Sequence, residues 1–283
     1  MRFGHVARVA AFLLPCFGFA EVNGASPRIE ARMKEMIATK EIPGAVTVIA
    51  TREGISHLQV IGNAKLKGKA LQPDSIFWIA SMTKPITGTA IMMLQEAGKL
   101  SVDDPVSKFI PEMAQLKTPS GKPANLTLKH LMTHTSGLPE ATQEEAKAAQ
   151  KLADLIPAYL NKPMQFEPGS QWKYCQSGIN TLGRIIEVVS GKPYEAFLEE
   201  KLFRPLGMKD TTFYLTEAQL PRLVTPVKRE DDGSLTETQI GLLQGKSPTS
   251  RDRYPAANGG LFSTAPDYTR FARMILNLSL IHI

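Results

Sequence analysis

Cysteine is scarce in this sequence, which has only Cys16 and Cys175 among its 283 residues. A framework of disulfide bonds, as in small cysteine-rich domains, is therefore excluded. Long hydrophobic runs are also missing, because the longest, residues 9–20, has twelve residues and a transmembrane helix needs about 20. This excludes a channel or transporter. With 43% hydrophobic and 21% charged residues, the chain has the composition of an ordinary globular protein with a sizeable core.

A strong excess of one charge is absent as well. The formal net charge is +6, and cations and anions are interspersed, as in residues 228–232. Because no basic stripe could follow a phosphate backbone, nucleic acid is not a predicted partner. Arg2 and Arg8 precede the apolar run, which ends in small residues, and this order predicts a secretory signal peptide over residues 1–20. Its removal would lower the net charge from +6 to +4 and place the protein in the periplasm or outside the cell.

Hydrophobic periodicity in the first hundred residues predicts two helices and a hairpin. Ser26-Pro27 has the cap and the first-turn proline of a helix start. Residues 45–51 and 55–61 are rich in β-branched side chains and predict two paired strands. A helical pattern then begins at Ile86 and ends near Gly98.

The middle of the chain has helical patterns between proline-rich breaks. One of them runs from Ile179 to Val189, ahead of Gly191, and a glycine-rich apolar segment follows much later at residues 259–262. We therefore expect an α+β fold in which an antiparallel sheet is flanked by helices and interrupted by an all-helical domain. The expected division is a sheet-containing part from residues 21–100 and 250–283, and a mainly helical domain over residues 101–249.

Familiar metal, nucleotide and hydrolase motifs are missing. The chain has no His-Glu-x-x-His, Cys-x-x-Cys, Gly-x-Gly-x-x-Gly or Gly-x-Ser-x-Gly, and no cofactor is predicted. The pattern Ser-x-x-Lys occurs twice, from Ser81 to Lys84 and from Ser170 to Lys173. The second occurrence follows Pro-Gly and predicts a turn serine beside an exposed lysine. The first opens the strongest helical pattern of the chain.

Ser81 and Lys84 allow two interpretations. Ser81 could simply cap the helix, because serine oxygens accept hydrogen bonds from free amides of a first turn. Lys84 fits that role badly, since a cation near a helix N-terminus costs a few tenths to about 1 kcal/mol when exposed. The same repulsion, together with burial, would favour the neutral amine and so make Lys84 a general base for the Ser81 hydroxyl. A spacing of three residues places both side chains on one helical face.

Two further segments contain side chains that could take part in chemistry. Tyr174 next to a cationic cluster could ionise and move a proton, and the amide of Gln176 could orient a substrate carbonyl. A buried tyrosine with a satisfied hydroxyl is the alternative, and this segment alone favours it. His134 and Ser136 lie too close along the chain for a catalytic triad, so a turn with a hydrogen-bonded imidazole is expected. Cys175 is interpreted as a small buried hydrophobic residue.

Taken together, four segments resemble the serine β-lactamase and penicillin-binding family, in particular its class C-like branch with the family VIII carboxylesterases. The order and spacing of these segments cover nearly the whole chain after the signal peptide. They are Phe77-Trp78-Ile79-Ala80-Ser81-Met82-Thr83-Lys84, Leu131-Met132-Thr133-His134-Thr135-Ser136-Gly137-Leu138, Pro168-Gly169-Ser170-Gln171-Trp172-Lys173-Tyr174 and Gly259-Gly260-Leu261-Phe262-Ser263-Thr264-Ala265.

The resemblance implies a β-lactamase/transpeptidase-like fold and an acyl-enzyme mechanism. Ser81 would attack an acyl carbonyl, while Lys84 and Tyr174 share proton transfer, and water would then release the acyl group. The backbone N–H of Ser81 would supply one arm of the oxyanion hole. The segment around His134 would be structural.

Two departures from the family pattern stand out. Tyr174-Cys175-Gln176 occupies the place of the usual Tyr-x-Asn, and its longer amide changes how a β-lactam amide would be held. No Lys-Thr-Gly or His-Thr-Gly follows residues 259–265, although the family has this element on a later strand. We therefore expect a C-terminally truncated member with impaired turnover, because loss of one oxyanion donor costs on the order of 10² to 10³ in rate.

The resulting prediction is a secreted serine hydrolase of small ester or amide substrates. A D-alanyl-D-alanine carboxypeptidase or β-lactamase with the same nucleophile is the nearest alternative. An alternative of another class is a non-catalytic protein that binds peptidoglycan or penicillin. Neither a metal nor a nucleotide is required by the predicted chemistry.

Overall fold

The computed structural model describes residues 26–243 and 245–278. The predicted signal peptide, residues 1–20, lies outside them. The helices are α1 (Pro27–Ala38), α2 (Thr83–Glu96), α3 (Leu128–Met132), α4 (Gln143–Ala148), α5 (Ile156–Leu160), α6 (Gln176–Ser190), α7 (Tyr194–Leu198), α8 (Arg204–Leu206) and α9 (Ala265–Asn277). The strands are β1 (Gly44–Ala50), β2 (Ile55–Gly62), β3 (Ile76–Trp78), β4 (Val227–Arg229), β5 (Leu235–Glu237) and β6 (Phe262–Thr264).

The hairpin and the start of α1 at Pro27 form as their sequence predicts, but the Ser26 side chain makes no cap hydrogen bond. Ser26 is extended and Pro27 occupies the first turn of α1, where a missing N–H has no cost. β1 and β2 pair antiparallel from Gly44 opposite Gly62 to Ala50 opposite Ile55. A side chain at Gly44 would lie 2.7 Å from the Asn63 backbone nitrogen, so only glycine fits the start of this hairpin.

Helices α2 and α6 pack together in the main hydrophobic core. The inward face of α2 includes Ile86 and Ile91, which are fully buried, and that of α6 includes Leu182 and Ile185. Gly191 directly follows α6, and its φ of 68° is the left-handed conformation that glycine adopts without strain. The predicted helical patterns ahead of Gly98 and Gly191 are therefore confirmed.

Strands β3 and β6 pair an early segment of the chain with a late one. They pair antiparallel, with Ile76 opposite Thr264 and Trp78 opposite Phe262. Thr264 then caps α9 by accepting a hydrogen bond from the Asp267 N–H at 3.2 Å. α9 packs on β1, and near its end the Arg273 side chain donates to carbonyls in the β1–β2 turn. Tyr268 on α9 also donates to the Met82 carbonyl at 3.1 Å, which fixes the segment after β3 against this helix.

The sheet structure differs from the expectation in two respects. Every described strand pair is antiparallel, as predicted, but residues 26–243 and 245–278 contain three separate two-stranded units instead of one sheet. The inserted segment was expected to be all-helical, yet it contains the hairpin β4–β5. Asp232-Gly233 forms its turn, with Gly233 at a φ of 81°, and this Asp-Gly pair is a strong hairpin signal. The division of the chain into a sheet part and a helical domain stays a prediction.

Helix lengths and hydropathy in the described ranges give no segment able to cross a bilayer.

Candidate active site

Ser81 lies in a single 3₁₀ turn, Ala80–Met82, between β3 and α2. The residue before it, Ala80, has a φ of 46°, which is a strained conformation for any residue other than glycine. Met82 is the N-cap of α2, and no side chain caps this helix. The interpretation of Ser81 as an N-cap is therefore wrong. Its side chain is exposed and free for another role.

Lys84 is buried behind Ser81, with 9% of its surface exposed. Its Nζ lies 3.1 Å from Ser81 Oγ and 2.6 Å from the backbone carbonyl oxygen of Asn258, and it donates to both. The spacing of three residues thus brings the two side chains together on one face of the first turn, as expected. An exposed hydroxyl in contact with a buried amine is suited to nucleophilic catalysis.

Tyr174 covers the same pair from the segment before α6. Lys84 Nζ lies 4.6 Å from the centre of the Tyr174 ring, and the side chain is 43% exposed. Partial burial raises the pKa of Tyr174, but hydrogen bonding to Lys84 and Ser81 and the charge of Lys84 outweigh it, so the net pKa is lowered from 10.0. The alternative of a buried tyrosine with an ordinary hydroxyl is wrong. The three predicted side chains lie together.

His134 supports the Tyr174 ring. The two ring centres are 4.6 Å apart, and His134 Nδ1 accepts a hydrogen bond from the Cys175 N–H at 3.2 Å. Burial lowers the pKa of His134, and the nearby charge of Lys84 lowers it further, so both favour the neutral imidazole that accepts this hydrogen bond. The predicted hydrogen-bonded imidazole in a turn is confirmed.

Gln176 is the first residue of α6 and joins this cluster through Asn258. Gln176 Oε1 accepts a hydrogen bond from Asn258 Nδ2 at 3.0 Å. The Glu140 carboxylate accepts from the backbone N–H groups of Gln176 and Ser177 at 2.5 and 3.0 Å, which places a negative charge at the positive end of α6. The start of α6 is thus fixed by hydrogen bonds to its first backbone N–H groups and to the Gln176 side chain.

Sequence reasoning missed Asn258, whose carbonyl contacts Lys84. The only available signal was its position directly before the Gly259-Gly260 pair. Hydrogen bonds on either side fix this segment, since Trp78 Nε1 donates to the Gly259 carbonyl at 2.6 Å and Thr83 Oγ1 accepts from the Leu261 N–H at 3.2 Å. These contacts connect positions far apart in sequence, so local pattern could not reveal them.

Ser170 and Cys175 have the structural positions that the sequence predicts. Ser170 Oγ donates to the Glu167 carbonyl at 2.6 Å in an exposed turn, which confirms that this second Ser-x-x-Lys is structural. Cys175 is a free, buried thiol at the N-cap of α6, and burial raises its pKa. It is therefore the small buried residue that was predicted. Among the described residues, no three His, Cys, Asp or Glu side chains come together as metal ligands.

A cavity of about 660 Å³ lies elsewhere, between Lys65, Lys69 and residues 239–248. Ser81, Lys84 and Tyr174 do not line it. The contact between Ser81 and Lys84, and not cavity size, therefore identifies the candidate site.

Comparison with known proteins agrees with this geometry. The Beta-lactamase family model matches residues 29–281. The chain belongs to the beta-lactamase family. This confirms the resemblance found in the four sequence motifs. The solved structure of EstCE1, a hydrolase with promiscuous acyltransferase activity, superimposes with a TM-score of 0.77 at 22% identity over 88% of this chain and 71% of that one. The fold is thus β-lactamase/transpeptidase-like and α+β.

Relatives of this beta-lactamase-family chain include proteins named as esterases and as peptidases. Esterase EstB of Burkholderia gladioli is 27% identical over 92% of this chain and 72% of its own length. The D-alanyl-D-alanine-carboxypeptidase/endopeptidase AmpH of Escherichia coli K12 is 32% identical over 73% of this chain and 50% of its own length. The chain spans less than two thirds of the length of several curated relatives that it matches.

Proposed function

We propose that this beta-lactamase-family chain is a serine hydrolase that forms an acyl-enzyme on Ser81 with ester or small amide substrates. The observation that carries the proposal is the 3.1 Å contact between Lys84 Nζ and Ser81 Oγ. Tyr174, whose pKa is lowered, lies beside both groups. A nucleophile within hydrogen-bond reach of a base, which is in turn held by other groups, is the arrangement that nucleophilic catalysis requires.

In the acylation step, Ser81 Oγ attacks the carbonyl carbon of the substrate. Its proton passes to the pair formed by Lys84 and Tyr174, and the lowered pKa of Tyr174 makes its phenolate a suitable acceptor. The bond from the carbonyl carbon to the leaving group then breaks. The departing oxygen or nitrogen takes the proton back from the same pair, which leaves an acyl group on Ser81.

Deacylation reverses these roles with water as the nucleophile. A water molecule gives its proton to the Lys84–Tyr174 pair and adds to the acyl carbonyl. Ser81 Oγ leaves, takes up that proton and releases the carboxylic acid. Ser81 lies in the 3₁₀ turn directly before α2, and its backbone N–H is proposed as one donor to the negatively charged oxygen of both intermediates.

Esters with apolar groups suit the surroundings of Ser81. Trp172 and Tyr174, whose ring centres lie 6.5 Å apart, are 67% and 43% exposed, and Met82 beside Ser81 is 47% exposed. Such a surface can bind an acyl chain or an aryl leaving group. The esterase EstB is a relative, and the relative AmpH makes D-alanyl-D-alanine peptides the second substrate class to test.

For location we propose export, because residues 1–20 have the order of a signal peptide.

The test combines active-site labelling with turnover. A fluorophosphonate probe should label the wild type and not Ser81→Ala. Ser170→Ala is a matched control, because it alters the other Ser-x-x-Lys, and it should be labelled like the wild type. Turnover of 4-nitrophenyl pentanoate, nitrocefin and a D-Ala-D-Ala peptide would then assign the substrate class. Equal labelling of wild type and Ser81→Ala, or no acylation by any of these compounds, would refute the proposal.

A further inference from the structure

Thr87 is a second polar side chain on the buried face of α2 that carries Lys84. It lies three residues further along the helix and is fully buried. Its Oγ1 donates to the backbone carbonyl of Ala257 at 2.8 Å, while Lys84 Nζ donates to the carbonyl of the next residue, Asn258, at 2.6 Å. Two side chains of one helix face therefore bind two consecutive carbonyls of a distant segment.

Tyr194, the first residue of α7, extends this arrangement by one hydrogen bond. Its hydroxyl lies 2.6 Å from Thr87 Oγ1. The Ala257 carbonyl can only accept, so the single proton of the Thr87 hydroxyl points to it, and the Thr83 carbonyl is farther away at 3.3 Å. Tyr194 must therefore be the donor to Thr87, and burial raises the pKa of Tyr194, so the hydroxyl keeps its proton. The hydrogen bonds run from Tyr194 through Thr87 to the Ala257 carbonyl.

The hydroxyl of Tyr194 is not needed to fill the core. The Tyr194 ring packs against Phe213 with 5.4 Å between the ring centres, and phenylalanine would keep that contact. Phenylalanine would also avoid the cost of a buried hydroxyl that needs a partner. What the hydroxyl adds is a donor to Thr87, and an O–H group that accepts one hydrogen bond donates the next one more strongly. The hold on the Ala257 carbonyl is thereby strengthened.

The position of the Asn258 carbonyl matters for Lys84 because a lysine amine sits on a flexible four-carbon chain. A fixed acceptor limits where Nζ can lie, and here it keeps Nζ 3.1 Å from Ser81 Oγ. The peptide unit that begins with the Ala257 carbonyl is planar, so a bond to that carbonyl also places the nitrogen and Cα of Asn258. The carbonyl that Lys84 contacts extends from this Cα.

We infer that Tyr194 and Thr87 are positioning residues for the proposed acyl-enzyme reaction. They hold the backbone at residues 257–258 so that its carbonyl meets Lys84 Nζ and keeps the amine within reach of Ser81. This inference rests on the proposed function. Both residues act through Lys84 and not on the substrate. Loss of either hydroxyl should therefore slow the attack by Ser81 without weakening the binding of the reagent.

The experiment measures how fast a fluorophosphonate probe labels Ser81 as a function of probe concentration. The maximal rate constant reports the attack by Ser81, and the half-saturating concentration reports binding. Thr87→Val keeps the shape and removes the hydroxyl, and it should lower the rate constant about tenfold with a half-saturating concentration within about 2-fold of the wild type. Tyr194→Phe should lower the rate constant about 3- to 10-fold in the same way. Thr87→Ser restores a hydroxyl and should return the rate constant to within about 2-fold of the wild type.

Thr181→Val is the matched control for a loss of stability. Thr181 on α6 is also fully buried, and its Oγ1 donates to the Ser177 carbonyl of the same helix at 2.8 Å. Removal of this hydroxyl should lower the thermal midpoint about as much as Thr87→Val does, because each change leaves a buried carbonyl without its donor. The labelling rate constant of the control should stay within about 2-fold of the wild type.

Because Tyr194 acts through Thr87, the double variant of Thr87→Val and Tyr194→Phe should be no slower than Thr87→Val alone. Additive effects would overturn the inference. So would a rate constant that stays at the wild-type value in both single variants, a loss that lies in the half-saturating concentration, no recovery in Thr87→Ser, or an equal loss in Thr181→Val.

If Thr87→Val does not fold, the comparison of Tyr194→Phe with Tyr214→Phe decides. Tyr214 is another buried tyrosine, and its hydroxyl donates to the Arg253 carbonyl at 2.9 Å. Slower labelling in Tyr194→Phe alone would support the inference, and equal labelling rates in the two variants would overturn it. Failure of the proposed function is distinct, because the probe would then not label Ser81 in the wild type.

Discussion

Replacement of His134 by alanine tests how the fold holds Tyr174 over Ser81. The His134 ring lies 4.6 Å from the Tyr174 ring and 6.1 Å from Trp172, and its Nδ1 accepts the Cys175 N–H at 3.2 Å. His134 also has a φ of 59°, and alanine keeps the Cβ that histidine has at this backbone position. The substitution therefore removes side-chain contacts and leaves the backbone geometry as it is.

The expected loss of stability follows from those contacts. Loss of the acceptor for the Cys175 N–H costs about 1 kcal/mol, because that donor is left unsatisfied. An aromatic pair contributes about 0.5–1.5 kcal/mol, and the Trp172 contact adds little because that side chain is largely exposed. We predict that His134→Ala lowers the free energy of unfolding by about 2 kcal/mol, or the thermal midpoint by about 4–8 °C. Freed from its support, Tyr174 should also act less efficiently, and kcat/KM for 4-nitrophenyl pentanoate should fall on the order of tenfold.

Thermal unfolding and ester turnover of His134→Ala would be measured beside those of His130→Ala. His130 Nδ1 accepts the Thr127 N–H at 3.2 Å in the cap of α3, and its ring does not contact Tyr174. The His130 variant should lower the free energy of unfolding by about 1 kcal/mol and leave the ester turnover unchanged. Equal turnover in the two variants, or an unchanged thermal midpoint in His134→Ala, would refute the reasoning.

Three more predictions concern proton transfer, backbone and pH. Tyr174→Phe should lower kcat/KM for the ester about 10²- to 10⁴-fold in steady-state assays, and turnover within tenfold of the wild type would contradict a proton-transfer role. Gly137→Ala should lower the free energy of unfolding, measured in urea, by at least about 2 kcal/mol. Gly137 has a φ of 72°, and a Cβ there would lie 2.2 Å from the Phe166 carbonyl oxygen. A smaller loss of stability would contradict this close approach. The pKa values of His130 and His134 are lowered from 6.5 by burial and by nearby lysines, so the unfolded chain takes up protons at a higher pH than the folded one. Stability should be retained above about pH 6.5 and fall as the pH drops below it, and a thermal midpoint that rises as the pH drops would contradict this.

Much of the fold could be predicted from local sequence pattern. The start of α1 at Pro27, the β1–β2 hairpin and the ends of α2 and α6 all depend on residues that are neighbours in sequence. Strand association could not be predicted this way. β3 and β6 have three residues each, and their partners are separated by more than 180 positions, as for Trp78 and Phe262. Short strands have little periodicity, and their pairing depends on how the intervening chain packs.

The candidate site was predictable to different degrees. Ser81 and Lys84 are three positions apart, so helix geometry alone brings them together. Tyr174 depended on the family resemblance, because its segment alone favoured an ordinary buried tyrosine. Asn258 was not predicted, since its contact with Lys84 joins residues 174 positions apart. A backbone carbonyl can supply such a contact from any residue type, so the identity of residue 258 carries no signal for it.

The most direct test of the acyl-enzyme is to trap it and locate the acyl group. Wild type would be mixed with 4-nitrophenyl pentanoate, quenched in acid, digested and examined by mass spectrometry. We predict a pentanoyl group on the peptide that contains Ser81, none there in Ser81→Ala, and an acylation rate at least about 100-fold lower in Lys84→Met. An acyl group on another residue, or undiminished acylation without the lysine nitrogen, would contradict the proposal that Ser81 is the nucleophile and Lys84 its partner.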